Sequence, residues 1–426
     1  MNEIRDIYVY ADWAGLEAAT LMGILHSRRV RGAEIFSFEY DADWIRNNNW
    51  SNLDPDLALF GGEQYLPDDR KTNFGIFSDS SPDRWGQILM KRREAANASA
   101  EERRPEILFQ TDFLLGVFDG HRMGALRFKL DPDESFLDDD VNMTTPPWTS
   151  IRELEDASLK LETGDLANNP EYRTWLNLLV GPGASLGGGR PKASIKDTDG
   201  HLWIAKFPSH NDNGDQGAWE MLAYELALES GINMFECKMK KFTSNYHTFI
   251  TKRFDRTTEG RRIHFASAMT MLGYPDGVDF VDGASYLDLV GFLMQHGARV
   301  DDDLEELFKR ITFSVCVSNT DDHLRNHGFM LSDKGWILSP AYDINPKENG
   351  TGLILNISED DNRLDLALVL ATHKHYRLSE KKANEIISHI AKVVSTWKTK
   401  ARKLGISGVE INDKQTAFLA IEGHYS

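Results

Sequence analysis

Alternating residues mark the front of the chain. In IFSFEY, Phe36, Phe38 and Tyr40 alternate with Ser37 and Glu39, the period of a half-buried strand. IYVYADWAG reads as another strand running into a turn. FGIFSDSSPDRWGQILMKRR changes character. A Ser/Pro/Asp turn gives way to a helix from Trp85, with Ser81 as the expected cap and Pro82 at the first helical position. Further on, a helix is predicted from Ser150 to about Leu161, and a strand over His201–Phe207. A helix over Ala218–Gly231 is closed by Gly231 at C′, and YHTFITKRFDR holds another strand. From about Thr258 helical patterns dominate, except in HGFMLSDKGWILSP, whose Asp-Lys-Gly centre predicts a β-hairpin. Ile386, Ile390, Val393, Val394 and Trp397 recur at helical spacing, so that helix packs one face on the body. The pattern is a mixed α/β front half and a mostly helical back half.

Length and composition narrow the class. A chain of 426 residues fits two or three domains or one bilobal enzyme, and 41% hydrophobic with 27% charged residues is ordinary for a globular protein. The net charge of −18 opposes a broad nonspecific grip on nucleic acid. Two cysteines, Cys237 and Cys316, are too few for a disulfide framework or a zinc knuckle, which fits a reducing cytosol. The start, MNEIRDIYVYADW, reads as neither signal peptide nor anchor, and no apolar run reaches about 18 residues. A cytoplasmic protein is the expectation. Asp131–Trp148 is acidic, contains proline and lacks periodicity, as a linker or exposed loop does.

Candidate chemistry begins at NTDDHLRN, Asn319–Asn326, directly after the apolar FSVCVS. Asp321 and Asn326 stand five apart, and Asp343 follows at the far end of the predicted hairpin, which brings it back toward Asn326. Magnesium prefers such oxygen donors and takes only one or two carboxylates, leaving room for phosphate oxygens. Protein kinases use a catalytic Asp, an Asn five positions on and a metal-binding Asp beyond a hairpin. A capped, solvated loop is the plain competitor. His323 and His327 have zinc-like spacing, but Leu324 stands where H-E-x-x-H requires glutamate. Upstream, Gly181–Ser194 holds five glycines in nine residues, either an anion-cradling loop or a flexible linker. It matches neither a Walker A motif nor G-x-G-x-x-G. Lys206 lies in the strand WIAKF, and Glu220 on the next helix is its expected partner, with Glu225 as competitor. Gly loop, strand Lys, helix Glu, ITKRF, Asp-x4-Asn and a last Asp follow in kinase order.

SLGGGRPKA, WIAKFPS, TKRFDR and NTDDHLRNHGF followed by SPAYDI resemble the HipA-type serine/threonine kinases, the toxins of bacterial type II toxin–antitoxin modules. IYVYADWAG…FSFEYDADWI resembles the small β-rich unit that precedes the kinase core in that family. The resemblance implies an α+β, bilobal protein-kinase-like fold, with an extra N-terminal β-rich subdomain, a mixed α/β N-lobe and a mostly α-helical C-lobe. The implied divisions are 1–130 for the β-rich unit, 131–149 for the linker, 150–257 for the rest of the N-lobe and 258–426 for the C-lobe.

The resemblance also implies roles. Asp321 would be the catalytic base, and Asn326 and Asp343 would hold Mg2+ against ATP. Gly187, Gly188, Gly189, Arg190, Pro191 and Lys192 would cradle the phosphates, with Lys206 neutralising them and Glu220 forming the helix ion pair. Lys252, Arg253 and Phe254 would form the hinge beside adenine, with His323 and Tyr342 also lining the nucleotide site. Ser185 falls where the family carries an autophosphorylated serine, whose phosphate would pull the Gly loop off the nucleotide. The expected partners are a HipB-type helix-turn-helix antitoxin, which would carry any DNA contact, and a Ser/Thr protein substrate such as an aminoacyl-tRNA synthetase. The sequence departs from the family at Asp322, where a small residue is usual, and at Lys252, where an acidic one is usual. Asp322 is expected to be a solvated neighbour of the base or a third group tuning the metal. The alternatives are a kinase-like binding module acting as an antitoxin-bound co-repressor, and a small-molecule kinase. The latter is disfavoured because the histidine follows the aspartate.

Overall fold

The computed structural model describes residues 4–47, 52–137, 145–163, 172–183 and 189–422. Ser185, Gly187 and Gly188 lie outside the described residues. The predicted front strands form an antiparallel sheet of β1 (Ile4–Ala11), β2 (Thr20–Val30), β3 (Ala33–Tyr40), β4 (Gln64–Tyr65) and β5 (Leu126–Lys129), in the order β4-β3-β2-β1-β5. Alternation sets its buried face, with Ile7, Val9 and Ala11 on β1 and Phe36, Phe38 and Tyr40 on β3 all buried. β2 passes so close to β3 that a Cβ on Gly23 would collide with the Glu39 carbonyl, so glycine is needed there.

A second antiparallel sheet contains β6 (Lys192–Lys196), β7 (Leu202–Lys206), β8 (Cys237–Lys240) and β9 (Thr248–Lys252), ordered β6-β7-β9-β8. The register sets Lys192 directly opposite Lys206. A third sheet joins β10 (Phe265–Ser267) to the expected hairpin, β11 (Gly328–Ser332) and β12 (Gly335–Leu338), which pairs Ser332 with Gly335 across an Asp-Lys turn. Behind it the chain is helical. Glu380–Val394 buries Ile386, Ile390 and Val394 as its spacing predicts.

Two hydrophobic cores result, and they cut across the sequence divisions. The larger runs from the β-rich sheet through the Gln216–Glu229 helix into the C-terminal helices. The smaller covers the second sheet with Trp85, Leu89 and Met90 from the Arg84–Ala100 helix, together with Ile151, Leu154 and Leu161. The Arg84–Ala100 helix starts two residues later than the expected Pro82. Asp83, not Ser81, is its cap and accepts from the Gly86 N–H at 2.8 Å, while Ser81 donates back to the Phe77 carbonyl. The described ends of the acidic stretch are tethered: Leu137 bridges to Phe128, and Pro147 to Lys196. No helix among the described residues is long and apolar enough to cross a membrane.

Buried polar groups fix the loop at 319–326. Asp322 is neither solvated nor free to touch a metal. Its Oδ2 accepts from the Tyr286 hydroxyl at 2.6 Å and from Ser314 at 3.2 Å, and its Oδ1 lies 3.1 Å from His327 Nε2. Burial favours the protonated acid, but His327 first, then Tyr286 and Ser314, outweigh it and hold the carboxyl below its usual range. A small residue would leave these polar groups unanswered. Asp322 therefore anchors the loop to the two helices beneath it.

The His264 ring is held by packing, while its carbonyl accepts from the Leu331 N–H. Its ring lies between Trp13, stacked at 5.1 Å, and Trp336 at 5.7 Å, joining the first sheet to the third. Neither ring nitrogen has a hydrogen-bond partner among the described residues, and burial pushes its pKa down to about 3.

Two outcomes follow. As pH falls below the ordinary histidine value of about 6.5, the unfolded chain takes a proton that folded His264 refuses, so stability drops toward pH 3. Denaturant titrations of His264→Phe should lose about one proton of this slope, ~1.4 kcal/mol per pH unit. Asp322→Ala should lower unfolding stability by about 3 kcal/mol, and Asp322→Asn by less. An unchanged denaturation midpoint in Asp322→Ala would contradict the anchoring role.

Candidate active site

The C-lobe loop and the second sheet face each other across a cavity of about 850 Å³, a size suited to a small-molecule ligand. Lys206, on β7, enters from the N-lobe. Its Nζ lies 2.5 Å from Glu220 Oε1 and 2.6 Å from Asp343 Oδ1. The sequence left Glu220 and Glu225 as rivals, and the structure separates them: Glu225 sits 3.9 Å from Lys400 instead. Burial opposes the ammonium, but Asp343 and then Glu220 overcome it and raise its pKa. Of the two carboxylates sharing this cation, Asp343 is held below the usual range despite burial, chiefly by Lys206. Glu220 is pushed up, by burial first and also by Asp343.

Asp343 has a φ of 57°, the left-handed region that Asp tolerates better than most side chains. Strained backbone of this kind concentrates at functional sites. The neighbouring Asn345 locks the turn: its N–H donates to Asn319 Oδ1 at 3.1 Å, and its side chain reaches Asp343 Oδ1 at 3.3 Å. The two motifs that the sequence set far apart are thus fastened to each other.

In the loop itself, Asp321 is exposed at the cavity, and Asn326 Nδ2 donates to the Asp321 carbonyl at 2.9 Å. That bond fixes the amide so that Asn326 Oδ1 is left without a partner among the described residues. Asp343 Oδ2 is likewise left without one. Two hard oxygen donors beside a cavity suit magnesium by donor type. His323 lines the wall, and Tyr342 donates to the Arg325 carbonyl at 2.7 Å. Among the described residues, His323 and His327 belong to no cluster of three or more ligating side chains. The described residues hold one such group, Asp197, Asp199 and His201, in the β6–β7 turn away from this cavity.

At the other end the wall is aromatic. Phe254 packs on Tyr342 at 5.6 Å and on Phe265 at 5.7 Å, with Ile204, Phe249 and Cys237 completing a face suited to a flat base. The N–H groups of Lys252 and Arg253 are taken by the carbonyls of Glu236 and Leu202, which leaves the Phe254 N–H for any ligand contact there. Arg253 is buried in a bidentate pair with Asp255 and donates to the His121 carbonyl. Its side chain braces the front of the chain.

The glycine-rich loop contributes less than expected within the described residues. Gly189 and Lys192 line the cavity, whereas Arg190 turns away to Asp212 at 2.6 Å and Pro191 is off the wall. Lys192 is buried against Asp83 at 2.5 Å. Asp83, with its neighbours Asp79 and Arg84, belongs to a wall that sequence reasoning treated only as a turn. Pro-Asp before an apolar helix signals a cap, and nothing local distinguishes a cap from a cap that also binds a distant lysine.

Comparison with known proteins places this arrangement. Residues 184–397, half of the chain, match the model of the HipA-like C-terminal domain. A protein of Haemophilus influenzae, provisionally named a kinase, is 26% identical over 38% of this chain and 52% of its own length. A second provisional kinase, from Sinorhizobium fredii, is 27% identical over 34% of this chain and 37% of its own. The chain thus spans about half or less of the curated relatives it matches. Among solved structures, a chain from the complex of HipA, HipB and operator DNA of the Shewanella oneidensis MR-1 toxin–antitoxin system superimposes with a TM-score of 0.66. That match covers 98% of this chain and 97% of that one at 16% identity. The bilobal, kinase-like fold is therefore common to both, and the chain belongs to the family defined by the HipA-like C-terminal domain.

Proposed function

We propose that this chain is an ATP- and magnesium-dependent serine/threonine protein kinase, acting as a growth-inhibiting toxin of the HipA kind. The observation that carries this reading is Lys206, held at once by Glu220 and Asp343, opposite a loop that presents Asp321 and Asn326. Catalysis by such a site is positioning and electrostatics, with little covalent work by the protein.

Asp321 accepts the proton of a substrate Ser or Thr hydroxyl, whose oxygen forms a bond to the γ-phosphorus. The bond from that phosphorus to the β-phosphate oxygen breaks, and ADP leaves with the electron pair. Asn326 holds the Asp321 backbone still through its side-chain amide. Lys206 orients the phosphates while keeping Asp343 ionised and in place. Asp343 and Asn326 would hold Mg2+, which when bound neutralises charge on the phosphates. The aromatic face at Phe254 receives the base. Ser185 is proposed as the site of autophosphorylation.

A HipB-type helix-turn-helix antitoxin is the proposed partner and would carry contact with operator DNA, since a chain of charge −18 is poorly suited to it. The Shewanella toxin–antitoxin system has a complex of this composition.

Purified chain incubated with Mg2+ and γ-labelled ATP should label itself, at Ser185, and an added protein substrate. Asp321→Ala should reduce transfer by about 10²- to 10⁴-fold while keeping ATP affinity within about 3-fold, since Asp321 acts on the hydroxyl and not on the nucleotide. ATP binding with no transfer by the natural chain would favour the co-repressor role. Absence of ATP binding would overturn the kinase reading. Lys206→Met should lose both binding and transfer, and should also expose the unpaired Glu220–Asp343 couple as reduced thermal stability.

A further inference from the structure

Most cations on the cavity wall are already neutralised. Lys71 is held by Asp56, Lys192 by Asp83, Lys206 by Glu220 and Asp343, and Arg325 by Asp276. Between them, Lys192 and Lys206 answer three carboxylates, so a polyphosphate arriving there meets no surplus positive charge. Among the described wall residues, only Arg84 and Lys252 are cations without a carboxylate partner. Lys252 lies at the aromatic end, its ammonium above the Trp203 ring. Arg84 lies at the opposite end, beside the glycine-rich loop: a Cβ on Gly189 would stand 3.7 Å from Arg84 Cδ.

The placement of Arg84 is also unfavourable locally. It is the first residue of a 17-residue helix, where the dipole and free N–H groups repel a cation. Its side chain is exposed and forms no ion pair among the described residues. A cation that opposes its own helix and has no carboxylate partner among the described residues points to a role outside folding. Its backbone, in contrast, is firmly held. Asp83 caps the helix and binds Lys192, and Arg122 grips the carbonyls of Ser80 and Leu114.

We propose that Arg84 is a phosphate-binding residue, delivered in cis from the N-terminal unit to the phosphate tail of a bound nucleoside triphosphate. The proposal rests on the nucleotide reading of the cavity and adds to it a contact from outside the two kinase lobes. A guanidinium offers planar, paired donors that match phosphate oxygens, and it carries the charge that Lys192 and Lys206 have already given to carboxylates.

Calorimetry with adenosine, ADP and ATP, each with Mg2+, tests it on the full chain. Arg84→Ala should weaken ATP binding by roughly 10-fold or more, the scale of one charge-assisted contact. Adenosine binding should stay within about 2-fold. Arg84→Lys should recover part of the ATP affinity, and the ATP difference should shrink with added salt. Melting temperatures of both variants should match or slightly exceed that of the natural chain, because a cation is removed from a helix N-terminus or replaced by another. Equal ATP affinity in Arg84→Ala and the natural chain would overturn the role of Arg84 alone. If the natural chain binds none of the three ligands, the nucleotide reading itself fails.

Discussion

The ammonium of Lys206 is the point on which the molecule turns. It is largely shielded from water, so its charge is tolerated because two carboxylates, one 14 and one 137 residues further along the chain, approach within 2.6 Å. One is on the helix behind the second sheet and the other follows the hairpin of the C-lobe. The ion pair between Lys206 and Asp343 therefore ties the two lobes together, while Glu220 holds Lys206 within its own lobe. The unusual backbone of Asp343 is tolerated for the same reason: Lys206, Asn345 and Asn319 together fix the turn that presents it.

A second set of buried charges attaches the front of the chain to this pair. Asp255 receives Arg253, Arg256 and the Gly124 N–H, and Arg253 in turn holds the His121 and Arg122 carbonyls. Arg122 passes the constraint on to Ser80, next to the segment that walls the cavity. The strength of the set lies in its closure, since each guanidinium ends on carboxylate or carbonyl oxygen.

How much of this was legible in the sequence depended on range. The strands of the first sheet, the hairpin at 328–338 and the helix at 380–394 were legible because burial imposes a short period on them. The site motifs were legible because their spacing in the chain, Asp321 to Asn326 and then Asp343, reflects one loop and one hairpin. Long-range pairing was not. Asp322 looked like a loose acid beside a catalytic base because Tyr286 lies 36 residues away, and Asp83 looked like a simple cap because Lys192 lies 109 away. Arg190 and Pro191 were placed at the phosphates by the family resemblance, and the structure sets Arg190 on Asp212 and Pro191 off the cavity wall.

Lys192 and Lys206 stand opposite each other on neighbouring antiparallel strands, an arrangement that like charges disfavour. It persists because each has its own acid, and the acid for Lys192 comes from the N-terminal unit. Together with Trp85 and Leu89, which complete the smaller core, this makes that unit part of the kinase-like body and not an appendage to it. The acidic stretch at 131–149 thus divides the sequence without dividing the structure. A fragment beginning after it would lose the Asp83 partner of Lys192 and leave open the hydrophobic face that Trp85, Leu89 and Met90 cover.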